Sequence, residues 1–118
     1  VTVTRFDLVT IDSPRTDALA AFWSAAIGLH EVEREDGDRW IVLADAAGRR
    51  RLGIQRGDTR PGSIHLDLAC EPDQFDTELA RLVGLGAVER GEARREPYGA
   101  IVNLADPDGN PFDLCAYA

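Results

Sequence analysis

Lysine is absent from the 118 residues, and all thirteen basic side chains are arginine. Without lysine there is no Schiff-base chemistry and no phosphate-gripping lysine of the Walker type. Clustered positive charge is also missing: the formal net charge is −8 and the isoelectric point near 4.6, which speaks against a nucleic-acid partner. The one dense basic run, Arg49-Arg50-Arg51, reads as a solvated strand edge. Apolar runs are short, and no stretch approaches the roughly 18 consecutive residues of a membrane span. The first residues, Val1 to Phe6, lack a signal-peptide layout, so a cytoplasmic protein without a membrane partner is expected. Two distant cysteines, Cys70 and Cys115, read as reduced thiols rather than a disulfide or redox pair.

Familiar catalytic signatures are missing as well. His30-Glu31 has no second histidine four residues on, so the zincin pattern fails. Asp106 to Asn110 is acidic, but its glycine and the absent distal glutamate do not fit a calcium loop. Ser63 lacks the nucleophile-elbow spacing. No catalytic residue can be named from these patterns.

What is present is a repeat. Ser13-Pro14 opens a stretch with Leu19, Phe22, Trp23 and Ala26 on one helical face, closed by Gly28. Pro72 opens a second with Phe75, Leu79, Leu82 and Val83, closed by Gly86, and both punctuation marks recur at an offset of 58. Short alternating strands precede the helices at Phe6 to Ile11 and Ile64 to Ala69, which sets Asp7 and His65 at the same offset. Leu43-Ala44-Asp45-Ala46-Ala47-Gly48 recurs as Leu104-Ala105-Asp106-Pro107-Asp108-Gly109 at an offset of 61, so the second copy holds about three extra residues within the polar stretch Arg90 to Pro97. Further strands are expected at Leu29 to Arg34, Arg39 to Leu43 and Leu52 to Gln55, and at Ala87 to Gly91, Ala100 to Leu104 and Pro111 to Ala116. The chain therefore reads as one domain of two βαβββ units, 1–56 and 64–118, joined by a linker at 57–63.

Two such units, with Ile64-His65-Leu66-Asp67-Leu68 opening the second and Asp106-Pro107-Asp108-Gly109-Asn110-Pro111-Phe112-Asp113-Leu114 closing it, resemble the vicinal oxygen chelate superfamily. That superfamily holds the glyoxalases, the bleomycin-resistance proteins and the extradiol dioxygenases, and the chain is most similar to the small glyoxalase-like proteins of high-GC bacteria. The resemblance implies an α+β fold in which the repeats form an open, cup-shaped mixed β-sheet barrel with one helix per repeat. It also implies a divalent metal (Zn, Ni, Mn or Fe) held by inward His, Gln or Glu side chains.

On that pattern His65 stands at a ligand position of the second unit's opening strand, and Asp113 at that of its closing strand, with Asp in place of the usual Glu. Asp7 is the counterpart of His65 in the first unit, whereas Gly53 stands where a fourth donor belongs and Gln55 lies two residues on. The metal set His65, Asp113 and Asp7 is thus incomplete, and no cofactor is expected unless a divalent metal binds there. Asp67, two residues from His65, can orient the imidazole. Trp40 and Tyr98 occupy comparable places in the two units and can wall a pocket. The expected ligand-binding set is therefore His65, Asp113, Gln55, Trp40 and Tyr98.

Three functions follow from the resemblance. The first is a small-molecule-binding protein with a cavity and no complete metal site; the second a metal-dependent lyase, isomerase or dioxygenase; the third an antibiotic-sequestering resistance protein. A homodimer suits all three, because an open sheet edge invites pairing.

Overall fold

Gly28 and Gly86 take positive φ, 69° and 123°, a backbone that ends a helix at little cost only when the residue is glycine. They close the two helices of a computed structural model that describes residues 6–62, 65–97 and 99–117. Helix α1 runs Thr16–Ile27 and α2 Phe75–Leu85. Candidate Tyr98, and Ile64 at the expected start of the second unit, lie outside the described residues.

The chain divides into two units, Val1–Thr59 and Arg60–Ala118. In the first, β1 (Val9–Ser13), β2 (His30–Glu35), β3 (Trp40–Ala44) and β4 (Arg50–Arg56) form one sheet in the order β1-β4-β3-β2. In the second, β5 (Leu66–Ala69), β8 (Gly99–Ala105) and β9 (Pro111–Tyr117) lie in the order β5-β9-β8. Two short strands, β6 (Val88–Glu89) and β7 (Arg94–Glu96), both pair with β8. In each unit the opening strand runs parallel to the closing one and the remaining pairs are antiparallel. Each sheet is therefore mixed, and neither closes on itself.

One face of each sheet is covered by its helix. Leu19, Phe22, Trp23 and Ala26 of α1 are buried with Ile41, Leu43, Leu52 and Ile54, and the Phe22 and Trp23 rings meet edge to face at 5.1 Å. In the second unit Phe75 and Leu82 of α2 are buried with Val102, Leu104, Phe112 and Leu114. Strand alternation sends the intervening residues to the opposite face, where Asn103 is exposed in the second unit but Val42 is buried in the first.

Five expectations are corrected. The first strand begins later than Phe6, because its ladder with β4 runs from Val9↔Leu52 to Ser13↔Arg56. Ser13 is consequently a buried strand end whose Oγ accepts the Arg15 amide, and α1 starts at Thr16 without a side-chain cap. Pro72 opens a single 3-10 turn, Pro72–Gln74, rather than α2 itself. Val83 is 41% exposed, since the short α2 buries a narrower stripe than its apolar spacing suggests. The polar stretch after Arg90 contains β7, so the edge strand of the second sheet is one strand interrupted between β6 and β7 by its extra residues.

The two hairpin turns repeat bond for bond. Asp45 Oδ1 accepts the amides of Ala47 and Arg49, and Asp106 Oδ1 accepts those of Asp108 and Asn110. Asp45 is held below the usual carboxylate range by the Arg49 amide first, then by Arg51. Asp106 is 1% exposed, so its loss strands donors with little access to water. Asp106→Ala is expected to lower unfolding free energy in urea by about 2 kcal/mol. A change below about 0.5 kcal/mol would show that the backbone bond from the Asp106 amide to the Asn110 carbonyl suffices.

Candidate functional site

The closing strand of each sheet lies between two neighbours, so an outward-facing side chain at its centre is flanked on both sides. In the second unit this row is Asp67, Asp113 and Asn103. In the first it is Thr10, Gly53 and Val42. The ladder thus aligns Gly53 with Asp113 and Thr10 with Asp67, so that Leu8, not Asp7, is the counterpart of His65.

The polar row builds a site. Asn103 Nδ2 donates to Asp113 Oδ1 at 2.6 Å, which fixes that carboxylate and leaves its other oxygen 3.7 Å from His65 Nε2. His65 Nε2 is also 3.4 Å from Asp67 Oδ1. Donor atoms of His65, Asp67 and Asp113 lie within 4.8 Å of one another. Only Asp113 is well shielded, its side chain 18% exposed against 54% for His65 and 67% for Asp67. An open depression of about 520 Å³ runs over the same face, lined by His65, Asp113, Asn103, Arg90, Pro111 and Gly62 among others.

The apolar row builds something else. Trp40 folds its indole across Gly53: a β-carbon there would overlap Cη2 and stand 2.7 Å from Cζ3 and 3.1 Å from Cζ2. The glycine is therefore the room the indole occupies. The Trp40 Nε1–H donates to Glu33 Oε2 at 2.8 Å, Arg50 donates to Glu33 Oε1 at 2.9 Å, and the same guanidinium donates to Asp7 at 2.9 Å. Glu33 is held below the usual carboxylate range by the indole first and Arg50 second. Asp7 precedes β1 and is engaged by this cation.

Sequence candidates thus fall into two groups. His65 and Asp113 come together in the second unit; Trp40 and Gln55 stand opposite each other on neighbouring strands in the first, with Gln55 exposed. Three residues were missed: Asp67 as a donor atom rather than only an orienter, Asn103 as the support of Asp113, and Arg90 in the depression. Strand alternation carried the signal, since 65, 67 and 113 share one parity and Asn103 pairs with Asp113.

Both cysteines are free. Cys115, two residues from Asp113, has its thiol pushed up by burial first and then by Asp67 and Asp113; burial also raises Cys70. Neither is a ready thiolate at neutral pH.

With respect to metal, three donors in the second unit fit a weakly held divalent cation. Among the described residues the row at Gly53 provides no fourth strong donor, and a four-donor centre of the kind the resemblance implies does not fit them.

A family profile described as glyoxalase-like domain matches residues 8–115. The chain is 25% identical over 118 residues to biphenyl-2,3-diol 1,2-dioxygenase of Sphingomonas paucimobilis, covering 97% of this chain and 39% of that protein. It therefore spans well under half the length of this curated relative. Among solved structures, the genomically encoded fosfomycin resistance protein of Listeria monocytogenes superposes with a TM-score of 0.79 at 18% identity, over 99% of this chain and 94% of that one. One variant of that protein was solved with Mn(II) and 1S,2S-dihydroxypropylphosphonic acid. A glyoxalase/bleomycin resistance protein/dioxygenase family enzyme from Burkholderia phytofirmans gives 0.78 at 17% identity, over 95% and 98%. These likenesses at low identity concern the fold.

The Trp40 and Gly53 pair makes a measurable coupling. Gly53→Ala is expected to cost about 2 kcal/mol of stability in the unaltered chain. In a Trp40→Ala background the same change should cost less than about 0.5 kcal/mol, because the overlapping ring is gone. Equal costs in both backgrounds would show that the indole does not occupy this space.

Proposed function

The chain belongs to the glyoxalase-like domain family of the vicinal oxygen chelate superfamily, and from that membership we propose that it binds a small organic molecule on the open face of its second unit without a complete metal centre. The observation that carries this reading is the contrast between the two ladder rows: Asp67, Asp113 and Asn103 in one, and Thr10, Gly53 and Val42 in the other, with an indole across Gly53. The depression over His65, Asp113 and Asn103 supplies a concave surface with several polar groups, the usual makeup of a small-molecule site. On this reading His65 and Asp113 contact the ligand. An antibiotic-sequestering role, suggested by the fosfomycin resistance neighbour, is one form of the same reading.

One observation favours a second reading, a metal-dependent lyase, isomerase or dioxygenase. His65, Asp67 and Asp113 could hold a divalent cation with water completing its shell, and a metal so placed would act as a Lewis acid toward a carbonyl or paired oxygens. The Mn(II)-bound neighbour and the dioxygenase relative make this the natural alternative.

Metal content decides between them. After incubation with Zn, Ni, Mn or Fe(II) and gel filtration, mass spectrometry is expected to find metal well below one equivalent per chain. His65→Ala should not change the amount. One equivalent that His65→Ala abolishes would install the metal-dependent reading instead.

A homodimer belongs to the proposal as well, because each sheet ends on edge strands that nothing within its own sheet covers, β1 and β2 in one and β5 in the other. Sedimentation should give twice the mass of the chain, and a monomer at all micromolar concentrations would remove this part.

A further inference from the structure

The protein carries an excess of eight negative charges, and seven of its arginines are paired with carboxylates. Arg34, Arg39, Arg50, Arg51, Arg56, Arg81 and Arg95 each pair with a carboxylate, Arg56 with Asp38 and Arg95 with Asp76 among them. Arg90 departs from this pattern: among the described residues its guanidinium has no ion pair, yet it lines the depression that also holds His65 and Asp113. Its backbone is fixed, since the Arg90 amide donates to the Asn103 carbonyl at 2.9 Å.

Location explains why the guanidinium stays available. Arg90 sits where the edge strand is interrupted between β6 and β7, and the ladder there resumes only at Arg94↔Ile101. Arg94 falls on the same face as Asn103 by strand alternation and also has no ion pair among the described residues. The carboxylate that lines the depression, Asp113, is already engaged by the Asn103 amide and faces His65. The depression is therefore lined by an arginine without an ion pair among the described residues as well as by a carboxylate and an imidazole.

We infer that Arg90, seconded by Arg94, receives an anionic group of the ligand, so that the preferred ligands are small organic acids whose carboxylate or phosphonate meets the guanidinium. This rests on the proposed ligand site and specifies what enters it. A planar guanidinium offers two parallel N–H donors to two oxygens of such a group, the strongest neutral-pH match among side chains. The remaining polar part of the ligand then faces His65 and Asp113.

The test uses phenylphosphonate and its uncharged counterpart benzyl alcohol, each titrated into EDTA-treated, isotope-labelled protein and followed by amide and arginine NMR shifts. Phenylphosphonate is expected to shift Asn103 and Arg90 resonances and to bind about tenfold more weakly to Arg90→Gln. Arg49→Gln, which removes another arginine without an ion pair among the described residues, from the first unit's turn, should bind as the unaltered chain does. Equal binding of phosphonate to Arg90→Gln and the unaltered chain overturns the inference. If benzyl alcohol still shifts the depression in that case, the proposed function stands without its anion preference. If neither compound shifts these resonances, both fall.

Discussion

Parallel pairing of the opening strand with the closing strand governs the architecture of both units. Such a pair cannot be joined by a tight turn, so the chain must cross over, and α1 and α2 supply part of each crossover. The crossover covers one face of the sheet and leaves the other open. It also places the closing strand inside the sheet, with a neighbour on each side. A residue at its centre on the open face is consequently the most confined of its row, which is why Asp113 is far less exposed than Asp67 or His65.

The two copies use that confined position in opposite ways. In the second unit it holds a carboxylate steadied by an amide, within reach of an imidazole. In the first it holds no side chain, and an aromatic ring from the adjacent strand lies over the backbone. The ring is tethered through Glu33 to Arg50, and Arg50 in turn occupies Asp7. One substitution-sized difference between the copies is thus connected to a chain of four side chains, and the family fold is kept while the chemistry offered by each half diverges.

Much of the fold was legible because turns and helix ends depend on local chemistry. The paired Leu-Ala-Asp motifs produce matching hydrogen bonds in the two hairpins, and the glycines after the helices adopt the positive φ that ends them. Where a boundary depends on pairing with a distant strand, local reading fails: Ser13 resembles a helix cap, but the ladder with β4 claims it as a strand residue. The short strand Arg94–Glu96 consists wholly of charged residues and has no apolar alternation to reveal it. Within the site, His65 and Asp113 were accessible through their strand positions. Arg90 was not, because its meaning comes from the absence of a neighbouring carboxylate, a property of the folded chain alone.

The fit between Trp40 and Gly53 also constrains the order in which this protein can change. Any side chain introduced at position 53 meets the indole before it meets a ligand, so a donor regained there by a single substitution would arrive together with a packing defect. A donor at position 53 therefore requires a smaller residue at position 40 to make room for it. A glycine that looks like a simple vacancy in the sequence is in this sense already occupied: the Trp40 indole stands where its side chain would be.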